Sequence, residues 1–200
     1  MYQLEVKAVL VAQRFPASEG WSTIVDVDGM ERGRGGNHPT DKLARVDIAY
    51  KRLEKLGSTL TGKHPKYQRV DIIAEHPSHG IVIVEVEGNA SRQKEQAMYA
   101  ALGQLIISMR FDSVAVSYAI AVPDDREWRR QLEKIPLSVL AKLKIQIFFV
   151  DANKVSEYPD ADDVTDRCLL GDETADVLPA GAVDDLAEFL GTIKRDQQAR

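Results

Sequence analysis

Val70-Asp71-Ile72-Ile73 and Ile81-Val82-Ile83-Val84-Glu85-Val86-Glu87-Gly88 decide how this chain folds. A strand alternates faces with period two, so Glu85 and Glu87 share the face that begins with Ile81 and Ile83. Asp71 belongs to the preceding strand, and His76-Pro77-Ser78-His79-Gly80 supplies the turn of a hairpin. Carboxylates gathered at the end of an apolar strand repel one another. They are tolerable there if water or a divalent cation neutralises them. The pattern therefore predicts a cation site suited to metal-assisted hydrolysis. The plainer reading is a solvent-facing acidic pair at the end of a hairpin.

Outward from the hairpin, residues 3–15 read as a helix ended by Pro16 and Gly20. Trp21 to Asp28 reads as a strand, and Glu31 to Pro39 as a glycine-rich loop. Thr40 or Asp41 opens a helix that runs to about Leu56, followed by a polar connector from Ser58 to Lys66. Strands are expected at about 69–75 and 80–87, then a long helix from Asn89 or Ser91 to about Arg110. A strand at 113–122, helical turns over 125–143 broken at Pro136, and a buried strand at 146–151 follow. Strands separated by helices imply parallel crossovers. The expected class is α/β, with a mixed central sheet flanked by helices. Beyond 151 the chain is acidic and broken by Pro159 and Pro179, with a short helix expected at 182–195.

Charge is unevenly spread. Residues 1–150 hold 21 Lys/Arg and 18 Asp/Glu, whereas residues 151–200 hold 5 and 13. Residues 32–69 are basic, 10 to 3. A basic segment beside an acidic centre suits a polyanion whose reacting phosphate must meet a metal. An ordinary solvated helix face is the alternative. Apolar residues make up 44% of the chain, yet no run approaches the roughly 20 residues needed to span a bilayer, so no membrane partner is expected. The start, Met1-Tyr2-Gln3-Leu4-Glu5-Val6-Lys7, does not look like a signal peptide, and a cytoplasmic location is expected. A lone cysteine, Cys168, excludes an internal disulfide and a cysteine-based zinc site.

Val70-Asp71, thirteen intervening residues, Glu85-Val86-Glu87-Gly88 and a following helix with Gln96 and Ala101-Leu102-Gly103-Gln104 resemble the PD-(D/E)XK nuclease superfamily. The helix at 3–15 with Gly20-Trp21, and the closing Leu143 to Asp151, look like its XisH-type branch. The resemblance spans about residues 1–150, with a basic insert at about 30–67 and an acidic extension over 151–200. It implies a restriction endonuclease-like α-β-β-β-α-β core and Mg²⁺- or Mn²⁺-dependent hydrolysis of DNA. Asp71 and Glu85 would be metal ligands. Glu87 stands where the family has lysine, so it would act as ligand or general base instead. The missing cation would come from elsewhere, with Lys94 or Arg92 nearest in sequence.

The same resemblance assigns Gln104 to a substrate phosphate or a bound water. Arg32, Arg34, Lys63, Lys66, Arg69, Arg92 and Lys94 are the candidate phosphate contacts. Glu5 and Glu75 are weaker acidic candidates for the same centre. His76 and His79 are turn residues, since two further zinc ligands are missing. A symmetric homodimer, formed through strand 113–122 or the long helix, would supply the two sites that cutting both strands needs. The competing expectation is a nuclease-fold module without catalysis that binds nucleic acid or a protein.

Overall fold

In the computed structural model, the described residues are 1–32, 39–61, 64, 66, 67, 70–89, 93–110 and 115–158. All belong to one compact unit. Helix α1 spans Gln3–Arg14, α2 Lys42–Lys55, α3 Lys94–Ser108, α4 Arg126–Leu132 and α5 Leu137–Leu143. The strands are β1 Ser22–Val25, β2 Thr59–Leu60, β3 Ile72–His76, β4 Gly80–Val86, β5 Val116–Pro123, β6 Ile145–Val150 and β7 Val155–Tyr158.

They form a single mixed sheet in the order β2-β1-β3-β4-β5-β6-β7. The β3–β4 hairpin pairs Ile72 with Val84 and His76 with Gly80. β4, β5 and β6 run parallel through helical crossovers, as the strand–helix alternation required. The α/β class and the mixed sheet flanked by helices are therefore present.

Alternation sorts the sheet into two faces. Val82, Val84, Val86, Ala119, Ala121, Phe148 and Val150 join α1 and α2 in one core. Ile83, Ile120, Val122, Ile147 and Phe149 meet α3, α4 and α5 in the other. On the α1 side three central positions are small, Ala74, Ala119 and Ala121, so α1 lies close to the sheet. Burying both faces explains why these strands read as unbroken apolar runs.

Three expectations need correction. The connector after Ser58 contains a strand, β2, which pairs in parallel with β1. Two residues are too few for periodicity to reveal. The sheet also runs past residue 150: β7 pairs antiparallel with β6, through Phe148 with Glu157 and Val150 with Val155. Finally, strand 113–122 cannot be a dimer interface. The strand described there, β5, lies between β4 and β6, and both its hydrogen-bonding edges are used within the chain. The helix expected at 182–195 lies outside the described residues.

Candidate metal centre

The hairpin ladder ends where the acidic residues begin. Extending the Ile72–Val84 register by one pair sets Asp71 opposite Glu85. Asp71 sits just before β3, and its side chain takes over from the ladder by accepting the Val86 N–H at 2.7 Å. Its backbone carbonyl accepts the Asp26 N–H at 2.9 Å, which ties the chain leaving β1 to the same point. Two strands and the segment after β1 thus converge on one residue.

A buried cation reaches this cluster from α1. Lys7 is 1% exposed and lies in the apolar run Val6 to Val11. Its Nζ stands 2.7 Å from Asp71 Oδ1 and 2.5 Å from Glu31 Oε1, and donates to the Asp26 carbonyl at 2.7 Å. An ammonium has three protons, and these three oxygens take them all. Burial alone would push Lys7 down, but the Asp71 and Glu31 carboxylates outweigh it and hold the group above the usual lysine range. Gln3, one turn earlier, donates its amide to both Asp71 oxygens at 3.3 Å.

Glu31 is delivered by a tight loop. Its backbone N–H donates to Asp28 Oδ1 at 2.7 Å, and its own Oε2 accepts the Asp28 N–H at 3.2 Å. Lys42 fastens the loop by donating to the Met30 carbonyl at 2.8 Å. Desolvation lifts the Glu31 carboxyl to about 7, opposed by Lys7 and assisted by Asp71.

Glu85 is the most constrained group. It is 2% exposed, and Oε1 has no hydrogen-bond partner among the described residues. Burial, the charge of Asp71 and a hydrogen bond to Asp71 together push its carboxyl up to about 9. Without a cation Glu85 therefore keeps its proton at neutral pH. Glu87 is half-buried, and desolvation followed by the charge of Asp71 lifts it to about 7 while Lys94 and Lys7 oppose.

Asp71 lies near enough to Glu85 and Glu87 for its charge to raise both glutamates. No three His, Cys, Asp or Glu side chains among the described residues stand as a ready ligand cage. The buried, orphaned Glu85 Oε1 beside Asp71 nevertheless fits a hard divalent cation. Magnesium in particular is commonly held by one or two carboxylates, with water and phosphate completing its shell.

The remaining candidates are scattered. Gln104 is exposed on α3, ten residues beyond Lys94 and thus roughly 15 Å along the helix axis. It is not part of the hydrogen-bonded cluster. Glu5 accepts the Tyr2 N–H at 2.7 Å and pairs with Arg45 at 2.7 Å, so it caps α1 and ties it to α2. Glu75 meets His64 at 3.0 Å, at the far end of β3. His76 accepts from the Ser78 and His79 N–H groups and its ring lies tilted, 5.0 Å from that of Trp21, as a turn residue.

Among the basic candidates, Arg32 follows Glu31 directly and lies 4.1 Å over the Tyr50 ring. Lys94 donates to Asn89 at 2.8 Å and sits 4.8 Å over Trp128. Lys66 is exposed, and its backbone N–H donates to His64. Arg34, Lys63, Arg69 and Arg92 lie outside the described residues, as does Cys168.

Lys7 and Glu31 are the site residues that sequence reasoning missed. Lys7 carried a signal, as the one charge inside an apolar helical run. Glu31 carried none, because only the fold of its loop brings it to Lys7. Comparison with protein families, with curated proteins and with solved structures finds no match to this chain.

Proposed function

We propose that the chain is a divalent-metal-dependent nuclease of the PD-(D/E)XK type, hydrolysing phosphodiester bonds in DNA. One observation carries this reading: a buried Glu85 with an unsatisfied oxygen, set beside the half-buried Asp71 and a buried lysine. Burying two carboxyls and an ammonium is costly for a fold, and such perturbed clusters belong preferentially to functional sites. Asp71 and Glu85 would hold Mg²⁺ or Mn²⁺, with Glu87 at its margin. The ion would polarise the phosphate and lower the pKa of water.

The chain's own residues supply the rest. Lys7 brings the positive charge that Glu87 cannot, and it comes from a helix rather than from β4. Gln3 and the Val86 N–H fix the orientation of Asp71. Glu87, lifted to about 7, is suited to take a proton at neutral pH. Arg32 and Lys94 flank the centre from the loop after β1 and from α3, where a phosphate backbone would meet them.

The test is nicking of supercoiled plasmid in Mn²⁺ or Mg²⁺. The parent should nick, whereas Asp71→Asn and Glu85→Gln should not. A parent that is inert with every divalent metal while still binding DNA overturns the hydrolytic reading. It would favour the second one, a nuclease-fold binding module. That alternative draws on a specific observation: all three Lys7 protons are already used within the protein.

A further inference from the structure

Helix α3 is apolar on the wrong side as well as the right one. Met98, Ala101 and Leu105 face the sheet and are buried. On the opposite face Tyr99 is 52%, Ile106 49% and Ile107 78% exposed, with Ala100 and Gly103 between them. From Gln96 to Met109 there is no charged residue. Gln96 and Gln104 are also exposed there, but the apolar patch around Gly103 has no cover among the described residues.

Gly103 points to the kind of partner. It sits mid-helix, where glycine costs about 1 kcal/mol relative to alanine. A Cβ built there would meet nothing within 4 Å, so the chain's own packing does not call for glycine. Glycine at the centre of an exposed apolar face permits the close approach of another backbone.

The charges at the two ends identify that backbone. Glu95 lies at the start of α3, where it accepts the Tyr99 hydroxyl and stands 3.8 Å from Lys134, and Arg110 lies just past its end, where it donates to the Ile107 and Met109 carbonyls. Two copies of α3 crossing antiparallel at Gly103 set Tyr99 against Ile107 of the other copy. They also bring each Glu95 beside the opposite Arg110. A two-fold interface needs such a self-complementary patch, with residue i on j and j on i.

We infer that the outer face of α3 is the homodimer interface of this protein, with the two-fold axis passing close to Gly103. The inference does not depend on the reading of the metal centre. It is tested on the full chain by analytical ultracentrifugation at micromolar concentration. The parent should sediment as a dimer. Gly103→Leu, whose side chain enters open space in the single chain, should sediment as a monomer with an unchanged far-UV circular dichroism spectrum. Gly103→Cys combined with Cys168→Ser should oxidise to a disulfide-linked dimer. A monomeric parent overturns the inference, and if the cysteine at 103 also resists thiol reagents, the chain's own residues cover the face. A dimer that Gly103→Leu leaves intact overturns it as well, placing the interface elsewhere.

Discussion

At the residue scale, the centre is defined by an acid that burial keeps protonated and a buried lysine whose acidic neighbours favour its charge. Glu85 is pushed up to about 9 from an ordinary 4.5. Between those values the folded, metal-free protein binds a proton that the unfolded chain has released. Its stability in EDTA should therefore fall as pH rises from about 5 through about 9. Glu85→Gln should raise the unfolding midpoint at pH 8 by a few degrees and flatten that slope, as measured by thermal melts in EDTA. Lys7→Met leaves Asp71 and Glu31 without their counter-charge and should cost about 3–5 kcal/mol in urea denaturation. Adding Glu31→Gln should recover part of that loss, through a coupling of roughly 0.5–3 kcal/mol. Strict additivity would show that the Lys7–Glu31 pair contributes nothing. The acidic half of this centre was legible, because Glu85 and Glu87 interrupt an apolar strand. Its basic half was not, because Lys7 is 64 residues from Asp71 in the chain and only tertiary packing of α1 joins them.

At the element scale, the position of α1 determines where Lys7 lies. Gly88, just past β4, lies against the first turn of that helix: a Cβ there would stand 2.5 Å from the Gln3 backbone nitrogen. The adjacent Asn89 N–H donates to the Met1 carbonyl at 2.8 Å. Gly88→Ala should therefore push α1 away from the sheet end, at a cost of about 1–3 kcal/mol. The expected outcome is a lower melting midpoint together with weaker Mn²⁺-dependent nicking. A lower midpoint with full nicking would mean that α1 does not position the site. Long elements with strong periodicity, α1, β4 and α3 among them, were readable from sequence. The two edge strands were not: β2 is two residues long, and β7 follows a chain that turns polar after Val150. Edge pairing of short polar segments depends on a neighbour already in place, which no local pattern encodes.

At the scale of the whole molecule, the sheet carries its acidic cluster at one end, and the basic residues 32–69 enter the chain between β1 and β3. If that arrangement serves a phosphate backbone, DNA affinity should fall steeply with salt, in a log–log plot whose slope counts the phosphates contacted. A flat salt dependence in fluorescence anisotropy would remove DNA as the polyanion.

The Asp71–Glu85 pair is most directly examined by calorimetric titration of Mn²⁺ into the parent and into Glu85→Gln at matched pH. Saturable binding to the parent is expected to strengthen by up to roughly tenfold per pH unit between pH 6 and 9, as the Glu85 proton is displaced, with no binding to the variant. Binding that is absent from the parent, or equal in the two proteins, would contradict that expectation.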